Sequence, residues 1–163
     1  MNHTENRSAE QIINNHVWLS SAPGFLPVPI LDMIAISAVQ SDMVKQLCRL
    51  YGRAYSEERG KTITLSLLSA FAGRVPAYVL RYYLKAIPGI GWALGGLSMS
   101  AFAMASTYAT GAVFKEHFDQ GGTLHDLNPE NFKKFYREEF EKAKNWINEK
   151  LEVPPPKEEE QSE

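Results

Sequence analysis

Four residues with acid–base or metal-ligating side chains stand close together, His117, Asp119, His125 and Asp126, around Gly121-Gly122. On a helix His117 and Asp119 point about 200° apart, so they share a metal only if the glycine turn folds His125 back. The simpler reading is a turn with capping side chains. His16 lies among Ile12, Ile13 and Val17 and reads as a hydrogen-bonded core histidine rather than a base. Asp32 has apolar helical neighbours, Ile36, Val39 and Met43. An acid on such a face must be paired, protonated or capping. After the Pro-Val-Pro run, pinning the start of a helix comes first, a buried pair second and catalysis last. Cys48 is the one cysteine and has no triad context. Pro88-Gly89-Ile90-Gly91-Trp92 suggests a phosphate loop, but Leu94 stands where the dinucleotide fingerprint needs glycine, and no Gly-Lys-Ser/Thr exists. No nucleophile–base pair emerges. The expectation is a protein that is not an enzyme and needs no cofactor or metal.

The elements that must position these residues read as helices throughout. Ser8 and Gln11 form a capping-box pattern, followed by apolar residues at helical spacing to Leu19. The prolines between Pro23 and Pro29 break that helix. A second helix runs from about Ile30 to Tyr51 and stops at Gly52. Ser56 caps a third, to about Ala72, with Glu57 and Glu58 in its first turn. A short fourth lies between Pro76 and Ala86. A long apolar element follows from Trp92 to about Asp119, ended by Gly121-Gly122. Asn128-Pro129-Glu130 starts the last helix, whose stripe holds Phe132, Phe135, Tyr136, Phe140, Ala143, Trp146 and Ile147. No strand pattern of useful length is present. The expected fold is all-α, a compact bundle of about five to six helices around a glycine- and alanine-rich central one. One domain over residues 9–152 is expected, with a flexible stretch at 1–8 and a disordered Pro/Glu-rich tail at 153–163.

The chain's 163 residues are 44% hydrophobic and 22% charged, with a formal net charge of −2, enough for a real core in one domain. That balance excludes a disordered chain and a strongly basic nucleic-acid binder, and a lone cysteine excludes a disulfide framework. The first 30 residues start polar and hold no secretory apolar core, so a cytosol-facing protein is expected. The even total hides an asymmetry. From Arg59 to Lys115 there are six basic residues and no acidic one, whereas from Glu116 onward thirteen acids accompany seven bases.

The middle of the chain therefore invites a membrane reading. Trp92 to Phe114 is 23 residues without a formal charge, roughly 34 Å of helix against a hydrocarbon layer of about 30 Å. Gly96, Ser100, Ala103, Thr107 and Gly111 share one face, and Gly91 and Gly95 precede them. In water each interior glycine costs a helix about 1 kcal/mol, a cost offset by close approach of another helix. Arg74, Tyr78, Arg81, Tyr82, Tyr83 and Lys85 form a basic, aromatic collar suited to a headgroup boundary. The expected lipid contacts are Arg74, Tyr78, Arg81, Tyr82, Lys85, Trp92, Leu94, Leu97 and Phe102. A wholly soluble bundle with a glycine- and alanine-rich centre would have the same composition, and that alternative stays open.

Several blocks together resemble a known family. They are His16-Val17 with Ser20, Pro23-Gly24-Phe25-Leu26-Pro27-Val28-Pro29 through Leu31-Asp32, and Ala38-Val39-Gln40 with Met43. Leu50-Tyr51-Gly52, Ser56-Glu57-Glu58 with Lys61, and Ile87-Pro88-Gly89-Ile90-Gly91 continue the pattern. Thr107-Tyr108-Ala109, Gly111, Val113-Phe114, His117-Phe118 and Gly121-Gly122-Thr123-Leu124 complete it. In order and spacing, over about residues 12–150, the chain resembles the YcjF-like bacterial helical domains of unknown function. The resemblance implies frequent linkage to Era-like GTPase domains and membrane residence for many members. It assigns no catalytic residue. A nucleotide switch would have to sit on another chain, since these residues carry no phosphate loop. The expected partners are thus anionic membrane lipid, a GTPase on a separate chain and a second copy in a homo-oligomer, with no nucleic acid. The expected place is the cytoplasmic face of a membrane, the alternative a soluble cytoplasmic bundle that regulates a GTPase. A metal-dependent enzyme using His117 and His125 is the weakest reading.

Overall fold

A computed structural model describes residues 3–21, 29–70 and 99–151. They form five helices and, among the described residues, no strand: α1 (His3–Leu19), α2 (Pro29–Leu50), α3 (Glu57–Leu68), α4 (Met99–Asp119) and α5 (Pro129–Leu151). The protein is an all-α bundle.

Local chemistry sets most of the ends. Pro29 opens α2 with the backbone angle of a first helical turn. Gly52 closes it at φ +62°, with its own N–H bonded to Arg49 and that of Arg53 to Cys48. The same two-bond closure ends α4, where Gly121 stands at φ +86° and Gly122 N–H reaches the His117 carbonyl. Ser56 caps α3 by accepting from Arg59 N–H, and Asn128 caps α5 by accepting from Glu130 N–H. Two starts differ from the sequence expectation. α1 begins at His3, so Ser8 lies inside it; nothing between His3 and Ser8 breaks a helix. α4 is described only from Met99, and the expected helix over Pro76–Ala86 lies outside the described residues, as do Trp92 and the positions up to 98.

Packing partners fix the directions. Gln40 touches Ser106 and Thr107, Met43 faces Gly111, and Tyr51 bonds Asp119, so α2 and α4 run parallel. His117 meets Phe132, and Phe102 meets Phe140, so α4 and α5 run antiparallel. The helices thus alternate up and down, with α1, α3 and α5 pointing to the end at which α2 and α4 begin. α4 is central. It contacts every other described helix, and over residues 100–119 only Tyr108 is exposed. Ala101, Ala103, Met104, Ala105, Ala109, Val113 and Phe114 are buried there, which is why the sequence is apolar around the whole circumference.

That burial answers the transmembrane expectation for the part of the segment described. No helix among the described residues is long and apolar enough to cross a membrane. From Met99 the charge-free run to Phe114 has 16 residues, roughly 24 Å of helix, short of the ~30 Å hydrocarbon layer. Lys115, Glu116 and Asp119 follow at once.

Candidate functional site

On the small-residue face of α4, Gly111 marks a close helix approach. An added Cβ on Gly111 would lie 2.7 Å from Ile13 Cγ1, 3.0 Å from Ile13 Cγ2 and 3.1 Å from Met43 Sδ. Glycine is required here by the approach of α1 and α2 together. Ala103 and Thr107 are fully buried on the same helix, and Ser100 is half-buried. Thr107 and Ser106 accept from the buried Gln40 amide at 3.3 and 3.2 Å, which ties α2 to α4 through the core. Gly91, Gly95 and Gly96 lie outside the described residues.

His16 is 5% exposed and joins α1 to α2. Its Nδ1 faces the Ile12 carbonyl at 2.7 Å and its Nε2 the Asp42 carboxylate at 3.1 Å. The His16 bond is the main cause that holds the Asp42 carboxyl below its ordinary value, with Gln46 adding a second bond. Asp32 falls in the first turn of α2 rather than at a flanking cap position, and its side chain lies outside the described residues.

The polar end of the bundle gathers the acid–base residues seen in the sequence and gives them separate tasks. Asp119 accepts from Tyr51 at 2.5 Å and from Lys115 at 3.0 Å. His117 Nε2 lies 2.9 Å from the Thr123 carbonyl and 2.8 Å from Asp126. A side chain on Gly122 would collide with the His117 ring, so glycine is what lets the turn close over it. Asp126 is held down to about 2, first by the Thr123 N–H and then by His117. His125 is exposed, and its carbonyl and that of Leu127 accept from Arg59. Arg53 donates to the Gly121 carbonyl at 2.9 Å. These contacts lock the α2–α3 and α4–α5 turns together. Among the described residues no three His, Cys, Asp or Glu side chains could hold a metal ion together. Cys48 is fully buried, and burial pushes its thiol up to about 11. A thiol in that state is a poor nucleophile.

One groove of about 220 Å³ opens between α1, α4 and α5, lined by Glu10, Tyr108, Lys115, Glu116 and Glu139 among others. Glu139 is nearly buried and paired with Lys142 at 2.6 Å. Burial, then the charges of Glu139 and Glu10 as the main electrostatic part, raise the Tyr108 phenol above its ordinary value.

The opposite end carries the apolar exposure. Trp18 is 46% exposed, Leu19 56% and Trp146 38%, and the two indole rings meet edge-on at 6.1 Å. Of the expected lipid contacts, Arg74, Tyr78, Arg81, Tyr82, Lys85, Trp92, Leu94 and Leu97 lie outside the described residues. Phe102 is partly buried, its ring 5.5 Å from that of Phe140. Sequence reasoning missed the Trp18–Trp146 pair, the Gln40 bridge and the arginines at the polar end. Arg53, next to the glycine stop of α2, was the one local signal.

A family model described as a domain of unknown function (DUF697) matches residues 1–145, consistent with the YcjF-like resemblance. A relative, magnetosome membrane protein 22 of Magnetospirillum gryphiswaldense, is 36% identical over 137 residues, covering 83% of this chain and 70% of that protein. No solved structure matches.

Proposed function

The chain belongs to this DUF697 family, and from that premise we propose that it is a non-enzymatic helical module that associates with the cytoplasmic face of a membrane. The observation that carries the reading is the charge pattern between α3 and α4. No acid lies between Glu58 and Glu116, and Arg74, Arg81 and Lys85 fall in the stretch joining the two helices. Near an anionic surface each such residue contributes about 1 kcal/mol. The relative's name, a magnetosome membrane protein, supports the same direction. So does the chemistry of the described side chains, which are spent on packing and on joining helix ends. The lipid contacts are Arg74, Tyr78, Arg81, Tyr82, Lys85, Trp92, Leu94 and Leu97, and the bundle is the rigid body they carry.

The test is fractionation of cells expressing the full chain. Sedimentation with membranes and retention through a high-salt wash are expected, since headgroup attraction alone is screened by salt. Protein released entirely by salt would reduce the reading to surface attraction. Protein found only in the soluble fraction and co-purifying with a nucleotide-loaded GTPase would replace it with a soluble regulatory bundle.

A further inference from the structure

We draw no further inference here: the strongest candidate, the groove between α1, α4 and α5, carries nothing, because Lys115 and Lys142 stand beside Glu10, Glu116 and Glu139 so that its charge selects no occupant, and nothing in the structure shows what covers it.

Discussion

Gly111→Ala isolates the close approach of α1 and α2 to α4. The new Cβ meets Ile13 Cγ1 at 2.7 Å and Cγ2 at 3.0 Å. Both atoms belong to a β-branched side chain whose rotamer is stiff, and Ile13 is only 4% exposed. Relief therefore needs a shift of α1 against α4 rather than a side-chain swing. Met43 Sδ, at 3.1 Å, is on a flexible chain and gives way readily. Overpacking against such stiff atoms falls at about 2–3 kcal/mol, the upper part of its usual range, and replacing a helical glycine by alanine returns roughly 1 kcal/mol. The expected net loss is about 1–2 kcal/mol by those two terms. In a chain of this size the thermal midpoint should fall by roughly 3–6 °C. Thermal unfolding followed by helical circular dichroism measures that shift, and urea unfolding the free-energy loss. Ile13→Ala removes both clashing atoms and alone costs about 2–4 kcal/mol through the cavity it leaves. The double variant should be less unstable than the sum of the singles by about 1 kcal/mol, because the new methyl occupies part of that cavity. A Gly111→Ala protein as stable as its parent would refute the close-approach argument, and additive losses would show that Ile13 is not what the methyl meets.

Three other consequences follow from the same contacts. The Asp126 carboxyl is at about 2 in the folded state against 3.8 ordinarily, so its contribution is present above about pH 4 and is lost as pH falls through about 2. Asp126→Asn should flatten the pH dependence of unfolding in that window, and an unchanged acid limb would count against the His117–Thr123–Asp126 arrangement. Cys48, buried with its thiol at about 11, should react with a disulfide reagent at pH 8 only as fast as the chain unfolds; rapid stoichiometric labelling of folded protein would contradict its burial. Gly52, at φ +62° with open space around it, should lose about 1 kcal/mol on change to alanine and less on change to asparagine, which tolerates the left-handed region; equal stability of all three would mean that the α2 stop does not depend on that angle.

Legibility in the sequence followed the range of the interaction. Gly52, Ser56, Gly121-Gly122 and Asn128-Pro129 mark helix ends through contacts with residues two to five positions away, so the residues themselves announce them. The centrality of α4 was also readable, since a helix that is apolar and small all round must be covered on all sides. The start of α1 was not, because helix propagates from His3 through polar residues with no breaker. Nor were the functions of the polar side chains around the glycine turn: Asp119 and His117 sit two positions apart, yet one bonds Tyr51, in the turn after α2, and the other the turn after α4. The Trp18–Trp146 pair joins residues 128 positions apart. No local pattern reports such a contact. The last-helix stripe put Trp146 with the core residues, whereas the bundle leaves it 38% exposed at the rim.

The measurement that bears most directly on the membrane account is flotation of the purified full chain with defined vesicles. Phosphatidylglycerol-containing and purely zwitterionic vesicles are compared at low and high salt, using the native chain and a variant carrying Arg74→Glu, Arg81→Glu and Lys85→Glu. The account predicts that the native chain floats with the anionic vesicles and stays with them in high salt, and that the charge-reversed chain binds far more weakly. A native chain that remains at the bottom of the gradient with both kinds of vesicle would contradict it.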